Sequence, residues 1–355
     1  MAIISKKKIP FKISDRLRTY LRKYDRLVDL PIRYMDLTRY DNSIPLYDRH
    51  GNDTLWETVF YPQEEMSDIH FALKKIYAIL KADGDLGVMD HLFVDRVDLC
   101  VYGNTQPFRV RIVNHLNDNF DYFYIKQGDA SRIYGLELEH LLSPNWISYV
   151  VFENTLIEEH IVGIPAEQFI KTHLQDPNLN KIRLAKEFVK FNERCFVRLL
   201  GDMHSSNFVV DITPDFEDVD YRLRAIDFDQ QSYEGRKAVY LPQYFKQNNP
   251  IIKIGLKYLT PESVHQYQRE ERALIANRVK MEKTRIDDLM EVMSGETLSS
   301  EKNIISLSKD LSIHYDEPDF LKCENMGQLV RLSLDMVTKN PGLYKDEYWI
   351  SSKRS

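Results

Sequence analysis

The chain has 355 residues, of which 43% are hydrophobic and 29% are charged, with a formal net charge of −6. At roughly 150 residues per domain, this length predicts about two domains or lobes, with a core large enough to need no disulfide or structural metal. The mild acidity argues against nucleic acid as the main partner, because nucleic-acid binding usually requires a basic face.

Three features indicate a cytoplasmic protein. Cys100, Cys195 and Cys323 are far apart and in no metal-binding spacing, which argues against a disulfide framework or a zinc site. No stretch reaches the ~18 apolar residues that a membrane span needs. The beginning of the chain is charged at 6–8 without an apolar segment behind it, which is unlike a secretory signal.

Residues 1–90 are predicted to form a mostly helical N-terminal extension. Helical periodicity is weak over 15–27 and stronger over 64–81, where Ile69, Leu73, Ile76, Tyr77 and Leu80 recur at helical spacing. Gly84 is the expected C-cap of the second helix.

The pattern changes to strands after residue 90. β-Branched and aromatic runs at 96–102, 108–113 and 121–126 are separated by turn-forming segments and predict an antiparallel meander. A short helix is expected over 130–142, and two further apolar runs cover 147–152 and 155–161. Residues 91–162 are therefore assigned to a small β lobe with one helix.

Residues 163–355 are predicted to form a larger, mostly helical lobe. Helical patterns cover 166–174, 184–199 and 261–293, the last broken at most once. Two short strands, at 207–210 and 222–226, are expected to pair as a hairpin. The predicted fold class is therefore α+β, with two lobes behind the N-terminal extension.

The strongest chemical signal is the segment Gly201-Asp202-Met203-His204-Ser205-Ser206-Asn207, followed by Ile226-Asp227-Phe228-Asp229. A kinase-type phosphotransferase needs one carboxylate that takes the proton of the acceptor hydroxyl. It also needs an amide and a second carboxylate that hold magnesium ions on the triphosphate. The alternative for the first segment is a polar turn, which Gly, Asp, Ser and Asn favour in any protein.

The individual roles follow from this chemistry. Asp202 is the candidate catalytic base, and His204 is the candidate brace of its loop. Asn207 and Asp227 are the candidate magnesium ligands, since the predicted hairpin places them side by side. Asp229 is a further metal ligand, a bracing group or an exposed loop acid.

A lysine and a turn in the small lobe complete the phosphate-binding candidates. Lys126 ends an apolar strand and is expected to reach the phosphates of a nucleotide if a carboxylate holds it. The candidate carboxylates are Glu137 and Glu139 on the next helix. Gly103, in the turn over 102–106, is the candidate of a phosphate-covering loop.

The segment Leu156–Gly163 is the candidate hinge. It is an apolar strand that breaks into a Gly/Pro segment between the β-rich and the helical parts. The backbone groups of Glu159 and Ile161 are expected to bind an adenine edge, and an ordinary core strand is the alternative. No Walker-type Gly-Lys-Ser/Thr is present in the sequence, which excludes a P-loop fold.

Together these motifs resemble the aminoglycoside phosphotransferase and choline kinase group of the protein-kinase-like fold. The loop of that family reads His-Gly-Asp-x-His-x-x-Asn, and its metal-binding Asp follows Ile or Val and precedes an aromatic residue. The resemblance covers about Asp98 to Lys237 and implies a bilobal fold, ATP and Mg²⁺ as cofactors, and the roles given above for Asp202, Asn207, Asp227 and Lys126. The chain departs from the family at Leu200, where the family has His, and in its glycine-poor nucleotide loop.

The predicted function is ATP- and magnesium-dependent transfer of a γ-phosphoryl group to a hydroxyl of a small molecule. One alternative is a HipA-like serine kinase, whose acceptor is a protein. A second is a catalytically silent kinase fold used for binding. A metal-dependent phosphoesterase is the third, and the lack of a Gly-Asn-His run argues against it.

Overall fold

A computed structural model of the chain describes residues 8, 10–101, 105–214 and 219–339. These residues divide into two compact units. The sheet unit comprises Pro10–Ala130 and Ile147–His160, and the helical unit comprises the described parts of Met1–Ile9, Ser131–Trp146 and Ile161–Ser355. The architecture is α+β, as predicted. Within the described ranges, no helix combines the length and the apolar character that crossing a membrane requires.

The sheet unit contains a seven-stranded sheet in the order β1-β2-β3-β4-β5-β7-β6, with antiparallel neighbours throughout. Its elements are α1 (Asp15–Lys23), α2 (Tyr34–Leu37), β1 (Asn42–Tyr47), β2 (Asp53–Phe60), α3 (Gln63–Ala82), β3 (Leu92–Leu99), β4 (Phe108–Asn114), β5 (Phe120–Gln127), β6 (Tyr149–Phe152) and β7 (Thr155–Glu159).

The two faces of this sheet differ in chemistry because side chains alternate along each strand. One face buries an apolar cluster to which α3 contributes Leu73 and Ile76 and the strands contribute Val110, Phe123 and Ile157, among others. The other face carries a polar row, in which Asp98 is opposite Arg109, Arg109 is opposite Tyr124, and Tyr124 is opposite Glu158. Lys126 follows Tyr124 by two residues and therefore lies on this polar face.

The predicted N-terminal extension differs from what the structure shows. Residues 42–60 form the β1-β2 hairpin, and β2 pairs with β3, so this segment belongs to the sheet. The turn is closed by Asp48, whose Oδ1 accepts from the amides of His50 at 2.8 Å and Asn52 at 2.9 Å. The predicted helix over 64–81 is present as α3, and it packs its apolar side onto the sheet. Residues 10–90 are therefore part of the sheet unit's own core.

The helical unit surrounds a small antiparallel sheet in the order β10-β9-β8. Its elements are α4 (Ala130–Leu142), β8 (Ile164–Pro165), α5 (Ala166–Thr172), α6 (Lys181–Val197), β9 (Phe208–Pro214), β10 (Val219–Ala225), α7 (Asn249–Tyr258), α8 (Pro261–Met281), α9 (Lys283–Ser294), α10 (Glu301–Tyr315) and α11 (Met326–Lys339). The single break predicted in 261–293 falls at Glu282, between α8 and α9.

Helix α6 lies at the centre of this unit and leads into the candidate catalytic loop. It is buried throughout from Phe191 to Val197, a stretch that includes two charged residues. Glu193 accepts from Arg272 Nε at 2.8 Å, and Arg194 Nη1 donates to Glu271 Oε1 at 3.2 Å. Because buried charges are tolerated only when paired, these two ion pairs fix α6 against α8. The loop that begins at Leu200 therefore starts from a rigid helix.

Helix α4 is also placed differently from the prediction, which assigns it to the small β lobe. Apart from its first residue it belongs to the helical unit. Ser131 Oγ donates to the carbonyl of Gln231 at 2.6 Å, and Glu137 pairs with Arg285 of α9. These polar contacts depend on residues about 100 and 150 positions away, which no local pattern reveals.

Candidate active site

The β9-β10 hairpin brings the two chemical motifs together. Its register pairs Phe208 with Ala225, so the residues just before and just after the strands face each other. The amide of Ile226 donates to the carbonyl of Asn207 at 3.0 Å. Asn207 thus lies directly beside the residue that precedes Asp227, as the predicted hairpin requires.

The loop before β9 is held in an unusual backbone conformation. Asp202 has φ of +62°, in the left-handed region that a non-glycine residue adopts at a cost of about 1 kcal/mol. Its amide donates to the carbonyl of Val239 at 3.1 Å, and the amide of Gly201 donates to Gln230 at 3.2 Å. A Cβ on Gly201 would lie 3.0 Å from Val239 Cγ1 and 3.1 Å from the Gln230 carbonyl oxygen. Glycine at 201 therefore allows this close backbone approach.

Two asparagines brace the loop from inside. Asn207 Nδ2 donates to the carbonyl of Asp202 at 2.9 Å, so the amide oxygen of Asn207 is the atom oriented to accept a hydrogen bond or bind a cation. Asn248, fully buried, donates from Nδ2 to the carbonyls of Met203 at 2.9 Å and Pro242 at 2.7 Å. The sequence contains no motif that points to Asn248, since its role depends on tertiary contact with a distant loop.

Asp202 lies in a cluster of carboxylates. Burial, followed by repulsion from Asp227, Glu234 and Asp229, raises the pKa of Asp202 from its ordinary 3.8 to about 7. A negative charge on any of these three neighbours disfavours the ionised form of Asp202. A carboxylate whose pKa lies near neutrality is suited to general-base catalysis, because it is ionised yet basic enough to accept a proton.

His204 lies in the same loop as Asp202. Burial lowers the pKa of His204, although Asp227 and Glu167 act in the opposite direction, so the ring is uncharged at neutral pH. Its Nδ1 accepts from the amide of Ser206 at 3.3 Å, which assigns the proton to Nε2. That atom lies 3.9 Å from Asp202 Oδ1, which is beyond hydrogen-bond distance. The contact with Ser206 lies within the loop, and the bracing role of His204 stays a prediction.

The two predicted metal carboxylates share a buried arginine that the sequence motifs do not include. Arg132 Nη1 lies 2.9 Å from Asp227 Oδ1 and 2.7 Å from Asp229 Oδ1, and Arg132 is only 2% exposed. The amide of Asp229 also donates to Asp227 Oδ1 at 3.0 Å. In the part of the chain that the structure describes, no group of three or more His, Cys, Asp or Glu side chains is arranged to hold a metal ion.

Lys126 is paired within the sheet unit, with a carboxylate other than the two predicted. Its Nζ lies 2.9 Å from Glu158 Oε2, and both side chains are more than nine-tenths buried. The predicted partners are engaged by arginines of the helical unit: Glu137 by Arg285 at 2.9 Å, and Glu139 by Arg198. Burial is the largest single influence and opposes the charge of Glu139, but Arg198, Ser143 and Arg194 together outweigh it and lower the pKa of Glu139.

The candidate hinge coincides with a change of unit, since the chain passes from the sheet unit to the helical unit between His160 and Ile161. The amide of Glu159, predicted to bind an adenine edge, donates instead to the carbonyl of Ser148 at 3.0 Å. Ile161, the other predicted contact, is a buried residue of the helical unit. Gly103, the candidate of the phosphate-covering loop, lies outside the described residues.

Replacing Glu158 by glutamine is expected to lower the free energy of unfolding of the sheet unit by about 2 kcal/mol, because a buried ammonium loses its charged acceptor. Urea unfolding followed by tryptophan fluorescence would measure this. The matched control is Glu153→Gln in the β6-β7 turn, whose partner Arg33 lies 3.5 Å away on the surface. That change is expected to cost less than about 1 kcal/mol. Equal effects of the two substitutions would contradict a buried Lys126–Glu158 pair.

Comparison of the chain with protein-family models gives no match, and a search of curated proteins gives none either. The resemblance to aminoglycoside phosphotransferases and choline kinases therefore rests on the motif residues alone.

Proposed function

We propose that this chain is an ATP- and magnesium-dependent phosphotransferase with a protein-kinase-like fold, which transfers a γ-phosphoryl group to a hydroxyl of a small molecule. The observation that carries the proposal is the carboxylate cluster around Asp202. It combines a candidate base with a pKa of about 7 and two oxygen-bearing residues, Asn207 and Asp227, at the facing ends of the two strands of one hairpin.

The donor set fits a divalent cation. Carboxylate and amide oxygens are the ligands that Mg²⁺ prefers. Negative charge remains in excess around Asp202, because Asp227, Asp229 and Glu234 still raise its pKa although Arg132 pairs with two of the three. A bound magnesium ion would be held by Asp227 and Asn207 and would neutralise the charge of the phosphates.

The protein's own residues supply the other parts of the chemistry. Asp202 would accept the proton of the attacking hydroxyl, and His204 would brace the same loop, where its Nδ1 accepts a hydrogen bond from the amide of Ser206. Lys126, fixed by Glu158, is the proposed phosphate-binding lysine. A lysine held by a glutamate is a recurring component of kinase sites, and here a strand residue of β7 supplies the acid.

One observation favours a second candidate, a catalytically silent binding protein of the same fold. Arg132 donates to Asp227, the carboxylate that would hold the metal. If this contact persists when a nucleotide is present, the protein would bind ATP without transferring its phosphate. Turnover therefore distinguishes the two candidates.

The experiment is a turnover assay of the purified full chain with Mg-ATP and a panel of hydroxyl-bearing metabolites, with γ-phosphate transfer as the readout. Asp227→Asn is expected to abolish the magnesium-dependent transfer, because a metal ligand is lost. Asp220→Asn on β10, an exposed acid of the same hairpin, is the matched control and is expected to leave transfer unchanged. Transfer that survives Asp227→Asn at the wild-type rate would overturn the proposal.

A further inference from the structure

Arg132 is an unusual residue to find at a proposed metal site. It lies in the first turn of α4 and reaches the loop after β10, where its Nη1 donates to both Asp227 and Asp229. Its Nη2 donates to the carbonyl of Ile226 at 3.4 Å. With only 2% of its surface exposed, the guanidinium is positioned by the fold and not by solvent.

Arginine and a divalent cation would compete at this position. Asp227 Oδ1 already accepts from Arg132 Nη1 and from the amide of Asp229. A metal on either oxygen of Asp227 would weaken the charge-assisted hydrogen bond from Arg132, because two positive charges that share one carboxylate repel each other. A second positive side chain contacts the same loop, since Lys8 Nζ donates to the carbonyl of Asp229 at 2.5 Å.

We propose that Arg132 is an internal counter-cation of the Asp227–Asp229 pair and sets the metal affinity of the site by competing with the divalent ion for Asp227. This inference rests on the proposed function. A metal held by Asp227 would leave Arg132 its contact with Asp229. Asp229 would then hold Arg132 in place, which is the bracing role among those that the sequence leaves open for it.

Arg132 also compensates the negative charge of the loop when no metal is bound. Asp227 and Asp229 are two residues apart on one short loop, and without a cation they would repel each other and Asp202. Arg132 compensates this charge and keeps the loop in one conformation. The consequence is a weaker site for the free metal ion, since the ion must replace a cation that is already in place.

The test is binding of Mn²⁺ alone, in the absence of nucleotide, to the full chain, measured by electron paramagnetic resonance of the free ion. Arg132→Met is expected to bind Mn²⁺ at least about tenfold more tightly than the wild type, which corresponds to the loss of one competing charge-assisted hydrogen bond. Arg285→Met is the matched control. It removes another arginine that pairs with α4, at Glu137, and is expected to leave Mn²⁺ affinity unchanged.

Arg132→Lys keeps the test decisive if the methionine variant does not fold. Lysine retains the charge but lacks the planar fork of donors, so its affinity for Mn²⁺ should lie between those of the wild type and the methionine variant. Asp227→Asn reports whether the metal binds where proposed. If Asp227→Asn abolishes Mn²⁺ binding but the Arg132 variants bind Mn²⁺ no more tightly than the wild type, Arg132 does not compete with the metal, and the proposed metal site is still supported. If Mn²⁺ binding does not depend on Asp227, the proposed function and this inference are both wrong.

Discussion

Replacing Asp202 by asparagine is expected to lower the rate of phosphoryl transfer about 10²- to 10⁴-fold, the usual contribution of a general base. The substitution keeps the shape of the side chain and removes its ability to take a proton. Because Asp202 is not a proposed metal ligand, KM for Mg-ATP should change little. The loss should therefore be confined to kcat, which separates this variant from one that impairs binding.

The pH profile adds a second readout for the same residue. Asp202 acts as a base only when ionised, and its pKa is about 7. Mg²⁺ on Asp227 would offset part of the repulsion that raises this pKa, so the wild-type rate should rise with pH on the acid side of neutrality. The residual rate of Asp202→Asn should lack that rise. Asp220→Asn, which changes an exposed acid on β10, is the control and should keep the wild-type profile. A wild-type rate in Asp202→Asn would remove this residue from the mechanism.

The same substitution is expected to stabilise the metal-free protein at high pH. Asp202 has its ordinary pKa of 3.8 when unfolded and about 7 when folded, so the folded state holds the proton more tightly. Stability is then unaffected below about pH 4, falls as the pH rises toward 7, and stays reduced above it. This difference in pKa between the folded and the unfolded state lowers the free energy of unfolding by up to about 4 kcal/mol at pH 8. Asparagine carries no charge and avoids this cost.

Urea unfolding of the wild type and of Asp202→Asn at pH 4, 6 and 8 would measure the effect, in a buffer without divalent ions. The difference in unfolding free energy should grow from near zero at pH 4 to its full value at pH 8. A constant difference across this range would mean that the pKa of Asp202 is not raised. Together with the kinetic result, a pH-dependent gain would show a residue that is retained for its chemistry at the expense of stability.

The regular elements near the motifs could be predicted because their patterns are local. The alternating runs that become β3, β4 and β5 are bounded by turn residues, and the periodic segment that becomes α3 has a clear apolar stripe. The hairpin that joins Asn207 to Asp227 follows from two short strands around one turn. These inferences need only side-chain alternation and turn chemistry.

Local sequence patterns do not predict the β1-β2 hairpin. Its strands are largely exposed, with Pro45 inside β1, and an exposed strand lacks the clear alternation of a half-buried one. The sequence therefore predicts no strand in this segment, although Asp48–Asn52 forms a well-defined turn. Only pairing with β3 makes it part of the sheet.

The partners of the site residues could not be predicted for a different reason. Glu158 meets Lys126 because β5 and β7 pair with Lys126 opposite Leu156, which places the glutamate on a diagonal. Arg132 meets Asp227 across 95 residues of sequence. Both contacts depend on strand register or helix placement, and a one-residue shift would remove them. The motifs identify the chemical groups, and the fold determines which counter-charge each one receives.

We propose that Asp227 and Asn207 form the magnesium–nucleotide site of a phosphotransferase. Isothermal titration calorimetry of ATP into the wild-type chain and into Asp227→Asn, each with and without Mg²⁺, measures whether nucleotide binding depends on this site. We expect the wild type to bind ATP much more tightly with Mg²⁺ than without it, and Asp227→Asn to lose that difference. An equal dependence on Mg²⁺ in the two proteins, or no ATP binding to the wild type, would contradict the claim.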